Sequence, residues 1–265
     1  MSAQRESPLS GRVAIVTGGG RGLGRAMALG LAKAGAAVVA TSARERQEIE
    51  RLARDAGAVG RPDAIYPMLA DVSSEADCAR TVATTIGRFG RVDILVNNAA
   101  RGMKYVSEDF MTRPTRFWET PAETWRLVIE TNAVGPFLMA RVAVPSMLKH
   151  RWGRIVNISI NAETMRRRDF SPYGPSKAAV ESATTIWAQD LADTGITVNS
   201  LLPGGAAQTG MIPESFPSQM RAALLEPEIM VPPLLWIVST EADGVTGRRF
   251  VAAKWSADNP EGETA

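Results

Sequence analysis

The sequence predicts a single α/β domain, a doubly wound parallel sheet with helices on both faces. Short runs of branched apolar residues alternate along the chain with segments of helical length, which implies right-handed crossovers between parallel strands. A glycine cluster follows the first run, and no internal repeat or low-complexity linker divides the chain. We expect a flexible leader over residues 1–11, the domain over 12–255 and a polar tail over 256–265.

The predicted elements alternate regularly through most of the chain. The strands are expected at residues 12–17, 36–41, 64–69, 93–96, 154–158 and 196–202. The helices are expected at 23–34, 44–56, 74–88, from 123 onward and 176–193. Two irregular segments, 101–120 and 203–230, interrupt the pattern. Long ordered connections are often functional, and the second segment has the composition of a mobile flap.

The composition argues against several classes of function. The chain carries 30 basic and 28 acidic residues, and this near balance disfavours a nucleic-acid-binding surface. Cys78 is the only cysteine, so no intrachain disulfide can form. His150 is the only histidine, which excludes a His-rich metal site. We expect a cytoplasmic protein with no signal peptide and with no metal, membrane or nucleic-acid partner.

A glycine-rich turn, Thr17 to Gly24, lies between the first strand and the first helix. Glycines let the backbone turn sharply and approach a pyrophosphate, and the free N–H groups at the helix start then face the anion. The general fingerprint G-x-G-x-x-G is not matched in any frame, whereas the spacing T-G-x-x-x-G-x-G is matched. The cofactor-binding residues predicted here are Gly18, Gly20, Arg21, Gly22, Leu23 and Gly24.

Tyr173 and Lys177 have the spacing of a proton-handling pair. Residues four apart share one face of a helix. The reference pKa of tyrosine is about 10, and a nearby ammonium group favours the phenolate and lowers that pKa. Such pairs also occur on ordinary helix surfaces, so the meaning of this one depends on the motifs around it.

Further motifs follow the glycine turn in order. They are Asp71-Val72 after the third strand, Asn97 to Ala100 after the fourth, Asn132 in a helix, Tyr173 with Lys177, Asn199, and Pro203-Gly204 with Thr209 beyond. Together they resemble the classical short-chain dehydrogenase/reductase family over nearly the whole chain, with Ala100 in place of a usual glycine. The resemblance implies a Rossmann-type fold and an NAD(P)-dependent oxidoreductase that transfers a hydride between nicotinamide and a carbonyl or secondary alcohol.

The resemblance also implies roles for individual residues. Tyr173 is expected to exchange a proton with the substrate oxygen, Lys177 to bind the nicotinamide ribose, and Asn132 to bind a water that links Lys177 to solvent. The further cofactor contacts are Asp71 and Val72 at the adenine, and Asn98, Ala99, Pro203, Gly204 and Thr209. Family members often form tetramers, partly through the C-terminal region. That ending is altered here, and we expect a homodimer or homotetramer.

The end of the second strand bears on the choice between NADP and NAD. An acidic residue at this place binds the ribose hydroxyls and repels a 2′-phosphate. Ser42 occupies roughly that place, and no acid follows until Glu45. Arg21 and Arg44 either pair with a 2′-phosphate or are ordinary surface charges. NADP is therefore favoured, with NAD as the alternative.

One departure from the family concerns its catalytic serine, whose usual distance from the tyrosine falls on Ile160. Ser159 is adjacent, but successive strand side chains face opposite sides, so a bulge or a one-residue insertion is needed to turn it toward the site. Three explanations are open: such a change restores Ser159, Asn161 or Thr164 supplies the donor, or catalysis is weak. The third defines an alternative function, a dinucleotide-binding sensor or scaffold with little activity.

Apolar residues in the two irregular segments predict a pocket for a bulky, apolar small-molecule substrate. The first segment carries Met103, Tyr105, Phe110, Met111, Phe117 and Trp118, and the second adds Met211, Ile212, Phe216 and Met220. These residues equally fit packing against the core or another subunit. Arg166 to Arg168 precede Tyr173 and fit an anionic substrate, a solvated charge run or a subunit contact.

Overall fold

A computed structural model describes residues 7–58, 61–216 and 218–260, and the backbone of 263–264. The strands are β1 (Val13–Val16), β2 (Ala37–Ser42), β3 (Ile65–Leu69), β4 (Ile94–Asn97), β5 (Gly153–Ile158), β6 (Ile196–Leu202), β7 (Arg248–Val251) and β8 (Glu263–Thr264). They form one sheet in the order β3-β2-β1-β4-β5-β6-β7-β8. The first seven are parallel, and β8 pairs antiparallel with β7 at the edge.

Helices cover both faces of this sheet. They are α1 (Gly22–Lys33), α2 (Arg46–Ala58), α3 (Glu75–Phe89), α4 (Ala122–Ile129), α5 (Gly135–His150), α6 (Ala162–Met165), α7 (Tyr173–Asp190), α8 (Ser218–Arg221) and α9 (Val231–Ile237). A π-helical segment, Glu130–Val134, joins α4 to α5 without a break. Short 3₁₀ turns occupy Met103–Tyr105, Phe117–Glu119, Pro227–Met230, Thr240–Ala242 and Ala252–Lys254.

Two hydrophobic layers enclose the sheet, and β1 shows how the sequence builds them. Ala14 and Val16 face a layer that includes residues of α1 and α9, whereas Ile15 faces a layer that includes residues of α3 and α5. All four residues of β1 are buried because both faces of the strand are covered. This explains why the strand is a continuous apolar run rather than an alternating one.

The predicted fold class is confirmed, with each predicted strand and helix present within a few residues of its expected bounds. One difference affects function, because α7 begins at Tyr173 rather than at residue 176. Helix α9 was not predicted. The run of residues between its two prolines and Ser239 is short and entirely apolar. It therefore lacks the alternation of apolar and polar residues with a period of 3.6 that identifies a surface helix.

The N-terminal boundary differs from the sequence expectation. Leu9, assigned to a flexible leader, is 2% exposed and packs in the layer beside α1. Its backbone N–H donates to Ala34 O at 2.9 Å. Apolar burial and a backbone hydrogen bond therefore fix this part of the chain, whereas residues 1–6 of the expected leader lie outside the described residues.

The continuous helical stretch Ala122–His150 is long and apolar enough to cross a membrane by composition alone. Half of its most apolar window is nevertheless buried inside the protein. Leu138, Met139 and Met147 pack there against the sheet layer that contains Ile15. The stretch is a core helix of this fold.

Candidate active site

The carboxyl ends of the central strands open into a cleft of about 450 Å³. The cleft lies where the strand order reverses between β1 and β4, the position at which open α/β sheets bind ligands. Its walls come from the glycine turn, the ends of β2 and β5, the start of α7, and parts of both irregular segments. One end of the cleft is polar and the other contains Tyr173 and Lys177.

The glycine turn forms a cradle that only glycine can build at Gly24. A Cβ there would lie 2.2 Å from Gly18 O and 2.5 Å from Asn98 Nδ2, far inside contact distance. Gly18 and Gly22 have positive φ angles of 62° and 52°. Helix α1 begins without a side-chain cap and without an acidic residue in its first turn, so its N–H groups are available to an anion. The residues present therefore fit a pyrophosphate.

Hydrogen bonds from the end of β4 hold this turn in place. Asn98 Nδ2 donates to Thr17 O at 2.9 Å and to Gly18 O at 3.0 Å. The backbone N–H groups of Asn98 and Ala99 both donate to Thr17 Oγ1 at 3.0 Å. Asn98, predicted as a cofactor contact, thus lies on the cleft wall while both of its amide hydrogens brace the turn.

The polar end of the cleft carries charges of both signs. Ser42 ends β2, and its Oγ accepts a hydrogen bond from Glu45 N at 3.1 Å. Arg21 and Arg44 line the cleft, as do Glu45 and Glu48. Arg21 Nη1 lies 3.4 Å from Glu48 Oε1 in a solvent-accessible pair that contributes little to stability. Glu48 was missed because it lies in the first turn of α2, beyond the strand end that the motif describes.

Arg101 lies in the wall of the cleft and is 6% exposed. Its Nε donates to Thr131 Oγ1 at 2.8 Å, and Nη2 lies 3.8 Å from Asp71 Oδ2. The guanidinium also stands 4.9 Å from the centre of the Tyr105 ring. A buried cation therefore holds the carboxylate of Asp71, a predicted adenine contact, which the sequence alone did not indicate.

Tyr173 and Lys177 lie together in the first two turns of α7, and both line the cleft. Lys177 is 3% exposed, and its Nζ donates to Ile158 O at 2.7 Å. Burial lowers the pKa of Lys177 to about 8, an effect that the Glu181 carboxylate opposes.

The expected lowering of the Tyr173 pKa does not occur in the protein alone. Burial of the phenol raises the pKa of Tyr173 to about 12. Desolvation of the phenolate is the cause of this rise, and the Lys177 ammonium group donates its hydrogen bond to the carbonyl of Ile158 instead. At neutral pH the phenol of Tyr173 therefore keeps its proton and can donate it.

Asn132 is fully buried behind the cleft, in the π-helical segment. Its Oδ1 accepts from Arg101 N at 2.7 Å, and its Nδ2 donates to Arg101 O at 2.9 Å and to Ser176 Oγ at 3.0 Å. Both amide hydrogens are thus committed to protein groups. The side chain ties the segment after β4 to α7, so a water on its amide nitrogen would have to replace one of these bonds.

Ser159 lies on the cleft wall together with Ile160, Asn161 and Thr164. Strand β5 ends at Ile158, so the alternation of faces no longer dictates the directions of the side chains that follow. Ser159 is 2% exposed, and its Oγ has no hydrogen-bond partner within the described part of the chain. Asn161, by contrast, donates through Nδ2 to Gly204 O at 3.1 Å.

A partly buried ion pair stands behind this wall. Arg249 Nε lies 3.1 Å from Glu181 Oε1, and Arg249 Nη2 donates to Ile160 O at 3.0 Å. The last parallel strand is thereby connected both to the segment that carries Ser159 and to the neighbour of Lys177. Sequence reasoning missed this pair, because its members lie far apart in the chain and match no motif.

The structure brings most of the predicted site residues to one cleft. Those on its wall are Gly18, Gly20, Arg21, Gly22, Leu23, Gly24, Ser42, Arg44, Asp71, Val72, Asn98, Ala99, Tyr173, Lys177, Pro203 and Thr209. Gly204 is not on the wall; with a φ of 93° it forms the turn after β6 and presents its carbonyl to Asn161. Asn132 lies one layer behind.

The apolar residues of the irregular segments divide between two places. Met103, Tyr105, Phe110, Met111, Met211, Ile212 and Phe216 line the cleft. Phe117 and Trp118 instead line a separate groove, and Met220 is 52% exposed. The predicted substrate pocket is therefore smaller than the sequence suggested.

Fold and site together define a class, an α/β dinucleotide-binding protein with a Tyr–Lys pair at the reacting end of its cleft. Residues 12–219 match the family model described as short chain dehydrogenase. The 3-oxoacyl-[acyl-carrier-protein] reductase FabG of Thermotoga maritima is 31% identical over 91% of this chain and 95% of its own. The D-beta-hydroxybutyrate dehydrogenase of Rhizobium meliloti is 32% identical over 79% of this chain and 77% of its own.

A solved structure supports the same family assignment. The 3-ketoacyl-(acyl-carrier-protein) reductase from Brucella melitensis, complexed with NADH, superposes with a TM-score of 0.80 and 30% identity over 92% of this chain and 96% of its own. The chain belongs to the short-chain dehydrogenase family, and it is an NAD(P)-dependent oxidoreductase that acts on CH–OH and C=O groups.

Proposed function

We propose that this enzyme reduces a bulky, largely apolar ketone to a secondary alcohol with NADPH. The observation that carries the proposal is the position of Tyr173 and Lys177 together on the cleft wall, where the phenol, with a pKa that burial raises to about 12, holds a proton at neutral pH. A proton donor at the substrate oxygen is what carbonyl reduction requires. The relatives whose names describe ketoacyl reductases support the same direction.

In this proposal the bound cofactor supplies the hydride, and the chain supplies orientation and the proton. The glycine turn, with Asp71, Val72, Asn98, Ala99, Pro203 and Thr209, holds the dinucleotide. Lys177 binds the nicotinamide ribose, and Asn132 fixes the start of the segment after β4 against α7. Tyr173 donates its proton to the carbonyl oxygen as negative charge develops there.

Ser159 supplies the second hydrogen bond to that oxygen. Its buried Oγ faces no protein partner in the described residues, whereas Asn161 already donates to Gly204. The alternative of a sensor or scaffold with weak catalysis was motivated by Ile160. The position of Ser159 on the cleft wall favours the catalytic reading over this alternative.

The proposed function is tested by NADPH oxidation over a panel of ketones graded in size. We expect turnover to rise from acetone-sized ketones to bulky apolar ones, because seven apolar side chains of the two irregular segments line the cleft. NADPH binding without turnover of any ketone, or of any alcohol with NADP, would overturn the proposal in favour of the non-catalytic alternative.

Arg44 is expected to select NADPH over NADH. Arg44→Ala should raise the Kd for NADPH by about 10-fold or more and leave that for NADH unchanged, since a charge-assisted bond to the 2′-phosphate is lost. Glu48→Gln should strengthen NADPH binding, because it removes a carboxylate beside Arg21. Fluorescence titration measures both constants. Arg51→Ala, on the exposed side of α2 and outside the cleft, is the control. A preference of the wild type for NADH would refute the assignment of Arg44.

Lys177 sets the expected pH dependence. It is charged at low pH and loses its charge as the pH rises through its pKa of about 8. We expect kcat/KM for NADPH, which reports on the cofactor-free enzyme, to fall above that pH as the ribose contact weakens. Glu181→Gln removes the carboxylate that raises the Lys177 pKa and should move the decline to lower pH. An identical profile in Glu181→Gln would mean that another group titrates.

Three expectations stay predictions. They are the C-terminal limit of the domain at residue 255 with a polar tail at 256–265, assembly as a homodimer or homotetramer, and a cytoplasmic location.

A further inference from the structure

A second cavity, of about 580 Å³, lies beside the cleft. We call it the arginine groove. One side is formed by Thr115 to Trp118 and the other by Met165 to Ser171. Its volume is that of a small-molecule site rather than of a flat protein contact.

The groove concentrates positive charge. Its lining contains four arginines (Arg116 and Arg166 to Arg168) against one carboxylate, Asp169, a formal charge of +3. The whole chain carries only +2, so the remaining residues sum to −1. Asp169 lies 3.4 Å from Arg116 and 3.8 Å from Arg168. Within the described ranges, no carboxylate lies in ion-pair distance of Arg166 or Arg167.

An apolar wall faces these charges. Phe117 and Trp118 are 65% and 67% exposed, and their rings meet edge to face with centres 5.1 Å apart. The Arg116 guanidinium stands 5.8 Å from the centre of the Trp118 ring. Aromatic rings beside arginines suit a ligand with an apolar chain and an anionic end.

The groove adjoins the cleft and shares part of its wall. Arg167 and Phe170 line both cavities. Phe170 also packs edge to face against Phe110, a cleft residue, at 5.9 Å. At the start of α7, Tyr173 lines the cleft while Pro175 lines the groove. The wall between Tyr173 and the arginines is therefore formed by Phe170 and Arg167, and an extended molecule whose carbonyl lies at Tyr173 would have to pass beside Phe170 to reach the groove.

We propose that the arginine groove binds an anionic group of the substrate, a carboxylate or a phosphate, at the far end of a chain whose carbonyl is reduced at Tyr173. The inference rests on the proposed function and narrows its substrate class. Phe117 and Trp118 contact the chain between the two ends, and Arg166 and Arg167 bind the anion. Charged hydrogen bonds to a carboxylate or phosphate give this site its selectivity.

The test compares three ketones of one chain length that end in a methyl ester, a carboxylate or a phosphate. We expect kcat/KM for an anionic ketone to exceed that for the ester by about 10-fold or more, chiefly through KM. The Arg166→Gln/Arg167→Gln variant should bring this ratio close to one. The control, Arg51→Gln/Arg126→Gln, removes the same charge from exposed helix positions outside both cavities and should keep the ratio. Comparison of carboxylate with phosphate identifies the anion.

Two results would overturn the groove assignment while the proposed function stands: equal use of ester and anion by the wild type, or an unchanged ratio in the groove variant. A change of mass in solution in the groove variant would instead assign the arginines to a subunit contact. If none of the ketones is reduced, the proposed function fails. Calorimetric binding of the same compounds then decides about the groove. A preference of the wild type for the anionic compounds that is lost in the groove variant supports the site, whereas equal binding of ester and anion by the wild type refutes it.

Discussion

Replacing Tyr173 with phenylalanine is expected to lower kcat/KM for ketone reduction by about 10³-fold, within the range that a positioned proton donor contributes. The phenylalanine ring keeps the packing at the start of α7 but carries no proton. Binding of NADPH should be retained, because the glycine turn and Lys177 form most of the cofactor's contacts in our proposal. Stopped-flow measurement of a single turnover, with NADPH binding titrated separately, distinguishes the two effects.

Tyr105→Phe is the matched control for this substitution. Tyr105 also lies on the cleft wall, is 47% exposed and stacks beneath the Arg101 guanidinium, a contact that a phenylalanine ring preserves. Removal of its hydroxyl should leave turnover nearly unchanged. Comparable losses in both variants would show that the phenol of Tyr173 has no special role. A loss of NADPH affinity in Tyr173→Phe that matches its loss of turnover would make Tyr173 a cofactor contact rather than a proton donor.

Much of this architecture could be predicted because its determinants are local. Consecutive residues determine a buried strand, the glycine turn that follows it and the next helix, as in Val13 to Lys33. The spacing of Tyr173 and Lys177 places them on one helix face without any tertiary information. Local patterns were therefore enough to predict the parallel sheet, the glycine turn and the pair of Tyr173 and Lys177.

The rest depends on contacts between distant parts of the chain. Arg101 and Asp71 meet only because β3 and β4 end at the same edge of the sheet. The direction of the Tyr173 pKa shift depends on burial, which the spacing to Lys177 does not reveal. Leu9 is buried by α1, although its polar neighbours make the segment resemble a leader. No pattern within a single window of sequence contains this information.

Ser159→Ala is expected to lower kcat by about 10²- to 10³-fold, the usual loss when one hydrogen-bond donor to a developing oxyanion is removed. KM and the Kd for NADPH should change little, because the hydroxyl acts on charge that appears only in the transition state. Asn161→Ala and Thr164→Val test the other two donors. We expect smaller losses in both, since Asn161 holds Gly204 and Thr164 lies in α6, farther along the chain. A loss centred on Thr164→Val, with Ser159→Ala near wild type, would contradict our assignment.

The same substitution is expected to stabilise the protein slightly. A buried hydroxyl without a partner costs folding about 1–3 kcal/mol relative to a satisfied one, and replacing it with a methyl group removes that cost. Ser159 is 2% exposed, and its Oγ lacks a partner among the described residues. We therefore expect the unfolding free energy of Ser159→Ala to equal or exceed that of the wild type, as measured by urea denaturation.

This combination of effects separates function from structure. Substitution of a residue that is needed for packing lowers the stability and the activity of the protein together. Substitution of a donor that acts in the transition state lowers the rate, while the stability of the protein stays the same or rises. If Ser159→Ala unfolds at lower urea concentration and loses activity in proportion, its hydroxyl supports the fold. If it becomes as stable or more stable and loses kcat alone, the unpaired hydroxyl on the cleft wall is retained for the carbonyl oxygen, at the position one residue before the Ile160 that the family spacing indicated.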